Sequence, residues 1–102
     1  MELFTKEIEA KAQEQYPKGN DLESQVVVAK FFNPTGAGTW YLLNQDPEDK
    51  NYCWGICHIF EWEIGSFSKS DILDYKGKFG LGIERDLNFE DLNAKMLWSK
   101  LN

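Results

Sequence analysis

"QVVVAKFFNPTGAGTWYLL", Gln25–Leu43, is the stretch that decides the fold. Gln25–Phe32 is dense in β-branched and aromatic residues, and so is Thr39–Leu43; both predict strands. Between them Asn33–Gly38 carries a proline and two glycines, the residues that turn a chain. The corner invites comparison with loops that cradle phosphate. A P-loop places a lysine directly after its last glycine, but Thr39 follows Gly38. A dinucleotide fingerprint needs a third glycine where Tyr41 stands. Both templates fail, so Pro34, Gly36 and Gly38 are expected to be turn residues, with glycine supplying positive φ.

Downstream, Asn44–Asn51 is a polar loop and Tyr52–Phe60 a third strand, so the two flanking strands form an antiparallel hairpin. On the third strand Tyr52, Trp54, Ile56, His58 and Phe60 alternate with Cys53, Gly55, Cys57 and Ile59. Both faces are apolar, the pattern of a strand covered on both sides. Upstream, Phe4, Ile8, Ala12 and Tyr16 recur every fourth residue, which predicts a helix over Thr5–Tyr16 with Thr5 as its cap. Ser68 and Asp71 have capping-box spacing and open a short helix that stops by Gly77. Asn88 and Asp91 repeat the spacing before a last helix, Phe89–Leu101. The expected architecture is α+β in one domain over 1–102: a small antiparallel sheet of three to four strands with N-terminal, short internal and C-terminal helices.

The net charge of −6 is unevenly spread. Asn44–Asp91 holds eleven acids against five bases, while the remainder balances at six and six. Nucleic-acid binders need the opposite sign, so direct nucleic-acid binding is disfavoured. An acidic stretch suits a basic protein partner or a solvated surface. No apolar run approaches the ~20 residues of a membrane span, and the charged start lacks a signal peptide's apolar region, so a cytoplasmic protein is expected.

Several chemistries are weighed against their structural alternatives. Cys53 and Cys57 on one strand lie ~13 Å apart, too far for a disulfide, so buried free thiols are expected. Cys57 and His58 are neighbours and point to opposite faces, which disfavours a nucleophile–base pair. The same scatter disfavours a metal site, and no metal, cofactor or catalytic residue is assigned. Glu61 and Glu63 flank Trp62, and Glu84 and Asp86 flank Arg85, the only arginine. An ion-pair network around Arg85 is one expectation for these carboxylates, a partner surface another. The high aromatic content, 15%, fits a core or a binding surface.

The segment "KFFNPTGAGTWYLLNQDPEDKNYCWGICHIFEWEIGSFSKSDI", with the later "GKFGLGIERDLNFE", resembles a small bacterial family of domains of unknown function. The resemblance covers about Lys30–Glu90. It implies a protein of plasmids, conjugative elements and phage, near anti-restriction and DNA-processing genes, and a link to inhibitors of host defence nucleases such as those of CRISPR systems. It implies no catalytic residues. The leading expectation is a non-enzymatic interaction protein whose acidic surface meets a protein partner, a nucleic-acid-processing nuclease for example. The partner-binding candidates are Asp46, Glu48, Asp49, Glu61, Trp62, Glu63, Glu84, Arg85 and Asp86. A single-strand-binding module using Trp40, Trp62 and Arg85 is the alternative, and a small enzyme around Glu84, Arg85 and Asp86 the third reading.

Overall fold

In a computed structural model, which describes residues 1–101, the chain folds as α+β. Asn102, the last residue of the expected domain, lies outside the described residues. The strands are β1 Val26–Val27, β2 Ala29–Phe32, β3 Thr39–Gln45, β4 Tyr52–His58, β5 Trp62–Ser68, β6 Glu84–Arg85 and β7 Leu92–Asn93. The helices are α1 Lys6–Gln15, α2 Lys69–Asp74 and α3 Ala94–Leu101. Five strands form one antiparallel sheet in the order β5-β4-β3-β2-β6, and β1 pairs with β7 in a separate ladder. The sheet is thus larger than the three to four strands expected. The additions are β5 and the short edge strand β6.

Gln25–Phe32 is not one strand. Val26–Val27 pairs with Leu92–Asn93, Ala29–Phe32 pairs with β3, and the chain changes partner at Val28. The third strand stops at His58 rather than Phe60, because Ile59, Phe60 and Glu61 make the turn into β5. Thr5 caps α1 as expected: its hydroxyl accepts from the Ile8 N–H at 3.1 Å. Ser68 caps α2, accepting from the Asp71 N–H. The last helix begins at Ala94, five residues later than expected, and Asn93 is its cap. Asn93 Oδ1 accepts from the Lys95 and Met96 N–H groups, whereas Asn88 only closes a local turn onto Asp86. Met96 is 55% exposed; Ala94 and Leu97 are the buried pair.

The register puts Phe31, Trp40, Cys57 and Glu63 side by side on one face of the sheet. The other face carries Lys30, Tyr41, Ile56 and Ile64. On the first face Phe4 and Ala12 of the N-terminal segment, with Ile72 of α2, pack over Ala29, Phe31, Leu42 and Cys53. Ala94 and Leu97 of α3 pack over Tyr41, Leu43 and Ile56 on the second. A bulge between Leu42 and Asn44 presses the β3 backbone against β4 at Gly55.

The corner is a structural turn. Asn33 organises it: its N–H donates to the Gly38 carbonyl at 2.9 Å, and its Oδ1 accepts from the Thr35 N–H at 3.0 Å. Only Gly38 has positive φ, at 129°, and a Cβ there would meet the Trp40 ring at 2.7 Å. Gly36 lacks the positive φ expected of it. The "GLGIERDL" segment lies beside the start of this corner, where β6 pairs with β2 at Phe31 and Phe32, and Tyr75, upstream of that segment, accepts from Asn33 Nδ2 at 3.0 Å through its hydroxyl.

Candidate functional site

The acidic candidates fall into three groups. Asp46, Glu48 and Asp49 lie in the β3–β4 loop. Asp46 accepts from the Glu48 N–H and from the Tyr16 hydroxyl, and Asp49 accepts from the Asn51 N–H. Two of these acids therefore shape their own loop. The Asp46 carboxylate also raises the Tyr16 phenol above its usual range, because ionising it would place two negative charges together. Glu61, Trp62 and Glu63 sit at the other end of β4, roughly 23 Å along the strand. Glu84, Arg85 and Asp86 lie at the far edge of the sheet.

The ion-pair network expected around Arg85 is not formed. Its Nε and Nη2 both donate to the Glu2 carbonyl, at 3.2 and 3.0 Å, because pairing with β2 aims this strand at the N-terminal segment. The ion pairs among the described residues are Lys11–Asp91 and Lys69–Glu9, the latter at 2.7 Å. Burial works to raise the Glu9 carboxyl, but hydrogen bonds from Lys69 and Gln45, with the nearby ammonium charges, hold it below its usual value. A stacking platform of Trp40, Trp62 and Arg85 is not assembled either. Trp40 and Trp62 stand on opposite faces, where Trp62 packs 4.7 Å from His58 and 5.9 Å from Tyr41.

A shallow hollow of about 420 Å³ holds Lys30, Glu84, Arg85 and Asp86, but its guanidinium is committed to Glu2. A second of similar size lies beside Tyr16 and Asn44, and the Asn44 amide is bonded to Gly19 and Gln25. The third differs. It is an apolar groove of about 390 Å³ on the first face, lined by Trp40, Ile59, Phe67, Ile72 and Tyr75, with Asp71 at its rim. It shares Ile59 with a hollow formed by Cys57, Phe60, Glu61 and Glu63. At its opposite end it shares Ser66, Phe67 and Ser68 with another that reaches Asp49. The three hollows lie along β5, which supplies residues to each. Their charged lining is Asp71 in the apolar groove, Asp49 in one neighbouring hollow, and Glu61 and Glu63 in the other, with no lysine or arginine. Phe60, at the tip of the β4–β5 turn, is 95% exposed. The groove and its neighbouring hollows thus bring candidates from two of the three acidic groups near Trp40, which the single-strand alternative used, and near Phe67 and Tyr75, which sequence reasoning did not single out.

Both thiols are free. Burial pushes Cys53 up to about 12, and burial together with Glu63 does the same for Cys57. At neutral pH neither is a nucleophile. A thiol-exchange reagent at pH 8 is expected to label the native protein at least ~100-fold more slowly than the urea-unfolded chain. An equal rate would contradict the burial. Because the folded values are raised, the unfolded chain releases these protons first as pH rises. Stability present below about pH 9 should therefore fall between pH 9 and 12, by roughly 1 kcal/mol per pH unit and thiol, as read by urea melts.

Among the described residues no group of three or more His, Cys, Asp or Glu side chains converges to hold a metal, and no helix is long and apolar enough to cross a membrane. The fold is a small α+β domain with an apolar groove on one sheet face and acidic hollows beside it along β5. The chain belongs to the family described as protein of unknown function (DUF2958), which it matches over residues 3–101. The match takes in α1 and α3 as well as the Lys30–Glu90 segment. No curated protein and no solved structure matches the chain significantly.

Proposed function

We propose that this protein is a binding module rather than an enzyme, and that it takes an apolar, positively charged segment of a protein partner in the groove along β5. The observation that carries this reading is the pairing of partly exposed aromatic surface with carboxylates alone. Trp40, Phe67 and Tyr75 offer apolar area, while Asp49, Asp71, Glu61 and Glu63 set the sign of the partner. That sign also disfavours nucleic acid as the direct ligand. A nuclease, whose nucleic-acid channel is basic, is a partner of this chemistry. Inhibition of a host defence nuclease by a mobile-element protein is the biological role in that case.

Reversing Glu61 and Glu63 to lysine, at exposed positions that leave the core intact, should weaken binding of a lysine- and phenylalanine-containing peptide about tenfold or more in calorimetric titration. Added salt should weaken the wild-type interaction. Unchanged affinity in the double variant would remove the groove from the function. Co-purification from the native host with mass spectrometry names the natural partner.

A further inference from the structure

The two edges of the sheet are treated differently. β6 is only two residues long, and Met1 and Glu2 cover it. β5 is seven residues long, "WEIGSFS", and no described strand pairs with its outer side. Exposed edges are ordinarily blunted by lysine, proline or a bulge. β5 has no lysine or proline, its one charged residue is Glu63, and its seven pairs with β4 run without a register shift.

The direction of its backbone groups follows from one bond. The Lys69 N–H donates to the Asn51 carbonyl at 3.0 Å, in line with the Tyr52–Ser68 register. Antiparallel pairs alternate, so Phe67, Gly65 and Glu63 bond to β4 while Trp62, Ile64 and Ser66 direct N–H and C=O outward. Gly65 adds a second sign. It has no positive φ, it lies at no bulge, and a Cβ built on it meets nothing within 4 Å. Nothing inside the fold requires glycine there. Glycine within a strand often marks a place where another backbone comes close.

We infer that the partner segment binds as an added β-strand on β5, its backbone pairing with Trp62, Ile64 and Ser66. Its alternate side chains enter the groove beside Gly65 and Phe67. The acidic lining from Asp49 to Glu63 selects a segment with lysine or arginine, and it disfavours a second copy of this chain, which carries −6 itself. This inference rests on the groove reading above.

The test uses a peptide of about eight residues alternating lysine with valine and phenylalanine, long enough to span β5. A second peptide has the same side chains and is N-methylated at alternate residues in either of the two phases. The plain peptide should bind, and the methylated phase that faces β5 should bind at least ~10-fold more weakly, because it loses its donors but keeps charge and shape. Amide exchange at Ile64 and Ser66 should slow with the plain peptide only. Ser66→Pro, which removes an outward N–H and no bond to β4, should weaken the plain peptide to a similar degree, with folding checked by circular dichroism. Equal affinity for all peptides would overturn strand addition and leave the groove reading standing. Binding of none would overturn both. A doubled mass without peptide, with Ile64 and Ser66 already protected, would give the edge to a second copy and overturn the inference.

Discussion

Gly55→Ala should leave the protein barely folded. A Cβ at this position would lie 2.0 Å from the Tyr41 carbonyl oxygen and 3.1 Å from the Leu43 nitrogen. Both contacts are backbone, held by the bulge at Leu42/Asn44, so no side chain can rotate away. The sheet must open between β3 and β4 or the bulge must rearrange. Either costs about 3 kcal/mol or more, a large share of the ~5–15 kcal/mol that keeps a small domain folded. For a chain of this size the melting temperature should fall by roughly 12 °C or more. Gly65→Ala, one strand away on the same face, is the control: its Cβ enters open space, and the midpoint should move by less than ~0.5 kcal/mol. Equal melting curves for the two variants would refute this account of Gly55.

The second large effect is expected at Gln15, a polar residue only 6% exposed. Its Nε2 donates to the carbonyls of Val26 and Leu43, at 3.0 and 2.6 Å, and its Oε1 accepts from the Val26 N–H at 2.9 Å. One side chain thus satisfies three backbone groups where β1 leaves the main sheet. Gln15→Leu fills the volume and leaves all three without partners, at a cost of about 3 kcal/mol in urea unfolding. Gln15→Glu is the sharper comparison. A carboxylate there faces two carbonyl oxygens and cannot donate to either, so its folded pKa is raised. Its stability relative to wild type should be greater near pH 4 and lost as pH rises toward 7. A deficit that does not vary with pH would show that Gln15 acts by shape alone.

Gln15 marks a limit of reading from sequence. Its neighbours on the apolar stripe announce α1 by spacing, but nothing local tells a buried glutamine from an exposed one. Its partners are loose backbone groups created by the change of strand partner at Val28. The corner was legible because Pro, Gly and Asn fix turns through short-range sterics. β5 was not, because an edge strand buries no residue fully and "WEIGSFS" mixes Trp and Ile with Glu, Gly and Ser. The start of α3 was misplaced because Asn88 and Asn93 both suit a cap, and the choice was made by Leu92–Asn93 pairing with a strand far back in the chain. Asp49, Glu61 and Glu63 could be named from the charge pattern; Asp71 was read only as a capping residue of α2. The groove they line could not, since the corner, the β4–β5 turn and α2 each supply part of it, and only the folded sheet brings these together.

The β1–β7 ladder has a consequence for the making of the protein. Asn93 Nδ2 donates to the Glu23 carbonyl across 70 positions, and the Ala94 N–H donates to Gln25. The helix that follows is the cover for Tyr41, Leu43 and Ile56. While the ribosome is still adding residues, one side of the half-built sheet therefore has no lid, and its apolar side chains face water. A chain stalled before Leu92 would keep that side bare. Chaperones that screen emerging chains would meet this protein as a client until its last helix is free.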